Sequence, residues 1–378
     1  MKRKLLSGLL VLTMAASLFV GCGSKSTSSE PEATDAPKAT EAQKATEAPS
    51  TTESQLIGVS MPTKDLQRWN QDGGNMERLL KEAGYKVDLQ YANNEIQTQV
   101  SQVENMISNG CKVLVIVAID GDSLGTVLAQ AKNQGISVIA YDRLIKNSDA
   151  VSYYATFDNY KVGATQGQYI KDKLDLDNAA GPFNFEIFAG DPGDNNATFF
   201  YNGAMDILKP YVDSGKLVVK SGSVDFEEVA TAGWSTETAQ SRMDAIIASY
   251  YADNTKLDAV LCSNDSTALG VTNALSASYT GEWPIVTGQD CDKANVKNMI
   301  AGKQSMSVFK DTRTLAAQVV LMVDAIVKGG EAPVNDTKTY DNGMGIVPSY
   351  LCEPVFADAS NYKELLIDSE YYTESDLQ

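Results

Sequence analysis

Polar and aromatic residues stand directly after several apolar runs of this sequence, where buried strands would end. Asp142 and Arg143, for example, follow the run Ile136–Tyr141. Amides, carboxylates and guanidinium groups can satisfy both hydrogen-bonding roles of a hydroxyl, and an indole face can cover the C–H surface of a pyranose. The pattern therefore predicts a site for a small, uncharged polyhydroxy compound. The candidate residues are Arg68, Trp69, Asp142, Arg143, Asn195, Asn196, Phe199, Trp234, Asn264, Asp265, Asp290 and Lys310.

The stretch 136–157 is the centre of this prediction. After Asp142-Arg143 comes a polar segment, and a second apolar run begins at Tyr153. Ligands of open α/β sheets bind just beyond the carboxyl ends of the strands, which is where the charged pair stands. A salt-bridged strand end explains the same pair, and Asp265 before a helix could be a simple cap. The binding interpretation therefore rests on many strand ends carrying such residues together.

Strands and helices alternate about every 25 to 30 residues from Leu56 onward, which is typical of parallel sheets with right-handed crossovers. Apolar stripes at helical spacing, such as Leu315, Val319 and Met322, mark the helices. Glycines 110, 135, 215, 302 and 329 follow helical stretches as C-terminal caps would. Ten strands would overfill one small sheet, so we expect an α/β fold with two doubly wound parallel-sheet lobes. The predicted strands are Ile57–Ser60, Val87–Tyr91, Val113–Ile119, Val138–Tyr141, Tyr153–Phe157, Phe183–Ala189, Leu217–Ser221, Ala259–Ser263, Ile285–Gly288 and Ser305–Phe309.

Composition excludes several classes of function. The chain has 378 residues, a net charge of −18 and no histidine. The acidic balance argues against nucleic acid and against electrostatic attachment to a membrane surface. Without histidine there is no imidazole metal site and no Ser-His-Asp or Cys-His catalysis. A hydrolase built on GDSLG at 121–125 would therefore lack a base for Ser123, so we predict a protein that is not an enzyme and needs no cofactor or metal.

Five cysteines are spread along the chain without a CxxC pair, so zinc or iron–sulfur ligation is not expected. Cys22 belongs to the N-terminal region. The other four lie in apolar surroundings, which favours buried thiols, although one disulfide is possible and its partners cannot be assigned from the spacing. These four are Cys111, Cys262, Cys291 and Cys352.

The N-terminal region predicts an exported, lipid-anchored protein. A basic start precedes sixteen apolar residues, Leu5 to Val20, which suits a signal peptide over residues 1–21. The sequence FVGC resembles the bacterial lipoprotein processing site, which implies cleavage before Cys22 and lipid on its thiol. A secretory signal with a chance cysteine is the alternative. The polar repeats of KATEA within residues 22–54 predict a disordered tether.

Several longer strings carry a resemblance to a known family: MPTKDLQRW, SQVENMISNGCKVLVIVAIDG, IAYDRLI, YYATFDNYKVG, GDPGDNNATFF, TGQDCD and NDTKTYDNGMGIVPSY. From Leu56 to the C-terminus the chain resembles the periplasmic monosaccharide-binding proteins of ABC importers. It is similar to the xylose-binding and the agrobacterial multiple-sugar-binding members. The mixture of the two leaves pentose and hexose open.

The resemblance implies a type I periplasmic binding protein fold, in which two lobes joined by three crossings close on a sugar by a hinge. The crossings are expected near Asp158, Asp311 and Ile346. The lobes would then be 55–158 plus 311–345, and 159–310 plus 346–378.

By the same resemblance, each lobe would contribute to the site. Arg68, Asp142 and Arg143 would serve from the first lobe, with Lys310 at the hinge. The second lobe would contribute Asn196, Trp234, Asn264 and Asp290.

The implied function is that of a lipoprotein bound to the outer face of the bacterial cell membrane. It would bind an aldopyranose of the xylose, glucose, galactose or arabinose class and deliver it to an ABC permease. We expect a monomer. The alternative is a sensory module that presents bound sugar to a chemoreceptor or a histidine kinase.

Overall fold

A computed structural model describes residues 54–253 and 255–378. All ten predicted strands are present with small shifts at their ends, and two more follow near the C-terminus. The strands are β1 (Leu56–Met61), β2 (Lys86–Tyr91), β3 (Val113–Ile116), β4 (Ser137–Tyr141), β5 (Val151–Phe157), β6 (Phe183–Phe188), β7 (Leu217–Val219), β8 (Ala259–Cys262), β9 (Ile285–Val286), β10 (Met306–Phe309), β11 (Ser349–Cys352) and β12 (Val355–Asp358).

The helices lie between the strands, as the alternating pattern predicts. They are α1 (Gln67–Glu82), α2 (Ile96–Ser108), α3 (Gly125–Asn133), α4 (Asn159–Lys173), α5 (Asn195–Asp213), α6 (Phe226–Val229), α7 (Thr236–Ile246), α8 (Asp265–Ser278), α9 (Lys293–Ile300) and α10 (Thr312–Val327). Short helical turns occupy Ala232–Trp234, Ile247–Tyr251, Lys363–Asp368 and Glu374–Leu377.

The first sheet has the strand order β11-β5-β4-β3-β1-β2, and every pairing in it is parallel. On one face, α1 and α10 bury Met76, Leu80 and Val319 against the strands. On the other face, α2 and α3 bury Val103 and Leu128. The apolar stripes predicted from helical spacing therefore face the sheet. We call this sheet with its four helices the first lobe.

The second sheet has the order β7-β6-β8-β9, and its pairings are also parallel. Helices α7 and α8 cover one face and α5 covers the other, with Met243, Val271 and Leu208 among the buried residues. The antiparallel pair β10–β12 lies beside this sheet through a bridge between Gln289 and Val308. We call β6 to β10, β12 and α4 to α9 the second lobe. The predicted α/β architecture of two doubly wound parallel sheets is confirmed.

One predicted crossing is wrong. A third crossing near Ile346 would place Ser349–Cys352 with the second lobe, but this strand pairs in parallel with β5 of the first sheet. The chain passes over after Cys352, because β12 begins at Val355 and pairs with β10. The rest of the predicted lobe division, 55–158 plus 311–345 against 159–310, remains a proposal.

Several local predictions can be compared with the backbone. The five predicted cap glycines all have positive φ, from 71° at Gly135 to 82° at Gly110, as left-handed caps require.

Within residues 54–253 and 255–378, no helix has the length and apolar content needed to span a membrane. The predicted signal peptide (1–21), Cys22 and the tether up to residue 53 lie outside the described residues.

Candidate functional site

The carboxyl ends of strands from both sheets, together with the start of α1, surround one cavity. Its free space is about 400 Å³, a value that includes the opening to solvent. The lining residues are Leu66, Arg68, Trp69, Asp142, Arg143, Asp194, Asn196, Phe200, Trp234, Asn264, Ser266, Gln289, Asp290, Asp292 and Lys310.

Three of these residues turn the chain sharply where a strand or loop reaches the cavity. Asp142, Trp234 and Asp290 have φ values of 59°, 55° and 99°, which residues other than glycine adopt at a cost. At Asp142 the carbonyl oxygen accepts hydrogen bonds from Tyr154 Oη (2.6 Å) and Asn196 Nδ2 (2.6 Å). These bonds offset the cost and hold the carboxylate of Asp142 toward the cavity.

Arg68 joins carboxylates from both lobes. Its Nε lies 3.1 Å from Asp72 Oδ2 and its Nη1 3.1 Å from Asp290 Oδ1, while Nη2 donates to Asp142. Only 6% of Arg68 is exposed. Burial alone would raise the pKa of Asp142, but the charges of Arg68 and Lys310 outweigh it and lower that pKa below its usual value.

Lys310 and Arg143 are the other two cations of the cavity. Lys310 Nζ lies 3.2 Å from Asp290 Oδ1 and 4.0 Å from Asp142 Oδ2. Arg143 Nε lies 3.0 Å from Asp194 Oδ2, which crosses from the first lobe to the second. Burial raises the pKa of Asp194 although Arg143 opposes the shift.

The charges of the lining nearly balance one another. Each of the three cations is paired with at least one buried carboxylate, and the carboxylates of the lining outnumber the cations by one. A buried charge is tolerated when it is paired in this way. No net positive charge remains to attract an anion, so the lining suits a neutral polar ligand.

Two indoles provide the apolar part of the lining. The guanidinium carbons of Arg68 and Arg143 lie 4.9 and 5.2 Å from the ring centre of Trp69. The ring of Trp234 packs on Phe200 at 6.2 Å, and its Nε1 donates to Asp194 Oδ2 at 3.3 Å. Fixed aromatic walls of this kind fit the C–H faces of a ring-shaped ligand.

Four buried polar atoms of the lining make no hydrogen bond among the residues that the structure describes. They are Trp69 Nε1, Arg143 Nε, Gln289 Oε1 and Asp292 Oδ1. Arg143 Nε lies at ion-pair distance from Asp194 Oδ2, but its N–H is not aligned for a hydrogen bond. Buried polar groups in native proteins are nearly always paired, so these atoms call for a ligand or water. Asp292 is also affected electrostatically, since burial and the neighbouring Asp290 raise its pKa to about 7.

Nine of the twelve predicted residues line the cavity. Asn196 is one of them, but its amide is already engaged: Nδ2 donates to the carbonyl of Asp142 (2.6 Å), Oδ1 accepts from Asn159 Nδ2 (2.8 Å), and Oδ1 lies 2.9 Å from Tyr154 Oη. Asn196 therefore links α5 to Asp142 and Tyr154 of the first lobe. The sugar-binding roles of the nine residues stay predictions.

The structure places the other three predicted residues outside the lining. Asp265 is fully buried, and its carboxylate accepts from Gln304 Nε2 (2.8 Å), Ser307 Oγ (3.0 Å) and the amide of Asp292 (2.8 Å). Phe199 packs on Tyr340 with the ring centres 5.2 Å apart.

Asn195 is half-buried, and its Nδ2 is buried without a partner in the described part of the chain. Contact of Asp265, Phe199 or Asn195 with a ligand is therefore not supported.

Sequence reasoning missed six lining residues: Leu66, Asp194, Phe200, Ser266, Gln289 and Asp292. Each stands within two positions of a predicted residue. The sequence therefore indicates which chain segments reach the cavity. Which of the neighbouring side chains faces the cavity depends on the backbone direction, which the sequence does not show.

The alternative catalytic site is not supported by its surroundings. Ser123 Oγ donates to the carbonyl of Asp120 at 2.8 Å, in a turn before α3. The chain has no histidine to act as its base. A polar cavity with paired charges between the carboxyl ends of two parallel sheets instead defines a solute-binding receptor of two lobes.

Comparison with known proteins identifies the family. The sequence model of the family described as periplasmic binding protein domain matches residues 57–331. The chain belongs to the periplasmic binding protein family, with the type I fold, and is a binding protein rather than an enzyme.

Curated relatives agree with this assignment. The multiple sugar-binding periplasmic protein SbpA of Azospirillum brasilense is 53% identical over 84% of this chain and 90% of its own length. The D-xylose-binding periplasmic protein of Escherichia coli is 39% identical over 85% of this chain and 92% of its own length.

A solved structure is more similar still. The ABC transporter solute-binding protein from Clostridium phytofermentans, with bound β-D-glucose, is 83% identical, with a TM-score of 0.85. The match covers 86% of this chain and 100% of that chain. The resemblance predicted from the sequence is therefore confirmed.

Proposed function

We propose that this protein binds one aldopyranose between its two lobes and delivers it to the membrane subunits of an ABC importer. The observation that carries the proposal is the cavity itself, in which paired charges from both lobes and two indole faces surround unpaired polar atoms. Neutral hydroxyls can pair with these charged groups without adding a net charge. The sugar-binding names of the curated relatives support the same ligand class.

Among the xylose, glucose, galactose and arabinose class, β-D-glucose is the first candidate. The solved relative that is 83% identical contains β-D-glucose. A micromolar affinity corresponds to about −8 kcal/mol, or roughly −0.7 kcal/mol for each heavy atom of a hexose. So small a ligand reaches this value only when nearly every hydroxyl is paired, which the many polar groups of the cavity allow.

The test is titration calorimetry of the purified protein with D-glucose, D-galactose, D-xylose, L-arabinose and D-glucuronate. We expect heat with at least one neutral aldose and none with glucuronate, whose carboxylate would face the carboxylates of the lining. Folded protein that gives no heat with any neutral aldose would rule out the proposal.

The same titration with Arg143→Ala tests the site. The change leaves Asp194 Oδ2 without its guanidinium partner at 3.0 Å, so the dissociation constant should rise about 30-fold or more. Arg78→Ala, at an exposed pair with Glu82, is the matched control and should leave the affinity unchanged. Wild-type affinity in Arg143→Ala would mean that Arg143 is structural.

We also propose that lipid on Cys22 anchors the protein outside the bacterial cell membrane. The support is the sequence FVGC after an apolar segment. Lipidation would keep the receptor close to its permease, and the polar tether would let it turn. Cys22→Ser should move the protein from the membrane fraction to the soluble fraction.

A further inference from the structure

The C-terminal tail, residues 363–378, packs on the second lobe. Leu366 and Tyr372 belong to one buried cluster with Met299 and Phe309, and Tyr372 is only 4% exposed. Two further contacts fix its end, since Lys293 Nζ pairs with Asp376 at 2.5 Å and Lys297 Nζ donates to the carbonyl of Gln378 at 2.7 Å. The tail is therefore an ordered part of the second lobe.

Two adjacent tyrosines of the tail reach the first lobe. The hydroxyl of Tyr372 accepts from Gln67 Nε2 at 2.6 Å and donates to the carbonyl of Cys291 at 3.0 Å. The hydroxyl of Tyr371 donates to Gln71 Oε1 at 3.3 Å. Gln67 and Gln71 stand one turn apart on α1, so the tail contacts a single face of that helix.

The neighbouring face of α1 carries the cavity side chains. Arg68 follows Gln67 in the sequence, and Asp290 precedes Cys291. Arg68 and Asp290 form an ion pair across the lobes at 3.1 Å. One tyrosine hydroxyl therefore joins the direct neighbours of two cavity residues that belong to opposite lobes.

We propose that Tyr372 is a positioning residue, which holds α1 and the Asp290 loop together in the closed, sugar-binding arrangement. The tail would then set affinity without touching the ligand. This inference rests on the proposed function for its affinity test. Its physical basis is that apparent affinity is reduced by the fraction of molecules that are not in the binding-competent state. A contact that exists only between closed lobes raises that fraction.

The experiment is a double-mutant cycle with Tyr372→Phe, Gln67→Leu and the double variant, measured by calorimetry with D-glucose. Tyr372→Phe keeps the ring in the buried cluster and removes only the hydroxyl. Each single change should raise the dissociation constant about 3- to 10-fold, as expected for one neutral hydrogen bond. The loss in the double variant should be smaller than the sum of the two single losses, because both changes remove the bond between Gln67 and Tyr372. Each change also removes one contact of its own: Gln71 Nε2 donates to Tyr372 Oη at 3.4 Å, and the amide of Lys293 donates to Gln67 Oε1 at 3.3 Å.

The matched control is Tyr362→Phe. Tyr362 packs against the same cluster, and its hydroxyl makes no hydrogen bond within the part of the chain that the structure describes. We expect wild-type affinity in this control. Fully additive losses in the cycle, or wild-type affinity in Tyr372→Phe, would overturn the inference while wild-type binding of glucose keeps the proposed function intact.

Hydrogen–deuterium exchange without sugar provides an arm that does not depend on the ligand. In Tyr372→Phe, amides of the peptide 66–76 should exchange faster than in wild type, and in Tyr362→Phe they should not. Unchanged exchange of this peptide would overturn the inference. If the wild type binds no aldose, the proposed function fails. The exchange measurement alone then tests whether Tyr372 holds α1 in place.

Discussion

At the scale of single residues, buried carboxylates dominate the electrostatics of the site. Asp72 is fully buried behind Arg68, and it accepts a hydrogen bond from the hydroxyl of Tyr141. Burial raises its pKa to about 6, although Arg68 and Tyr141 oppose the shift. The folded protein therefore binds a proton at Asp72 more tightly than the unfolded chain does.

This shift predicts how stability depends on pH. Because the pKa of Asp72 is raised from 3.8 to about 6 in the folded state, its contribution is present below pH 3.8 and is lost as the pH rises through 6. Between about pH 4.5 and about pH 7.5 this loss amounts to roughly 2 kcal/mol. Asp72→Asn should remove that part of the pH dependence, measured by urea unfolding at the two pH values.

The control for this measurement is Glu82→Gln, at an exposed position at the end of the same helix, α1. We expect its difference in unfolding free energy between the two pH values to match that of the wild type. An Asp72→Asn protein with the same pH dependence as wild type would show that Asp72 is ionised at both pH values.

At the scale of elements, the loop after β6 and the turn Ala232–Trp234 must fit closely. A Cβ at Gly190 would overlap the ring of Trp234. The amide of Thr231 donates to the carbonyl of Gly190 at 3.0 Å, which keeps the two segments side by side. Glycine at position 190 therefore allows the indole to reach the cavity.

Gly190→Ala should displace Trp234 from the cavity. We expect the dissociation constant for sugar to rise about tenfold or more, because an aromatic wall is lost, while the fold is retained. Calorimetry measures the affinity, and circular dichroism the thermal unfolding.

Gly74→Ala is the matched glycine control. Gly74 lies exposed inside α1, where a Cβ would meet nothing within 4 Å. Alanine there should raise stability by about 0.5–1 kcal/mol with unchanged affinity, because helical glycine is unfavourable. Wild-type affinity in Gly190→Ala would show that Trp234 does not form part of the site.

At the scale of the whole molecule, the described part of the chain is held together without disulfides. All four cysteines in this part are free and buried. Burial raises the pKa of Cys352 to about 12, with a smaller effect of Asp311 in the same direction. Thiols in this state are poorly reactive. The question of a disulfide, which spacing alone left open, is thus answered by the structure.

Thiol titration with a chromogenic disulfide reagent tests this state. With Cys22→Ser as the background, we expect almost no reaction in the native protein and four thiols after denaturation. Adding a reducing agent should leave the thermal unfolding temperature unchanged. Fewer than four thiols in the denatured, unreduced protein would reveal a disulfide.

The sequence by itself determined the architecture and the location of the candidate site. Apolar runs that alternate with amphipathic stretches predict parallel sheets covered by helices. A strand buried on both faces is apolar throughout, and a helix packed on a sheet is apolar along one stripe, so both patterns can be read locally. Strand ends such as Asp142-Arg143 are visible for the same reason. In an α/β sheet the ligand lies at those ends, so nine lining residues were predicted without coordinates.

The tertiary structure alone decided which neighbours face the cavity and where the last strand pairs. Phe200 faces the cavity and Phe199 does not, because adjacent residues on a helix point about 100° apart and the phase of α5 depends on packing. In the sequence, Asp194 and Asp292 cannot be told from ordinary turn residues. Only the packing of the two lobes places them in the lining of the cavity. β11 finds its partner β5 about two hundred residues earlier in the chain, and no local pattern encodes a contact of that range.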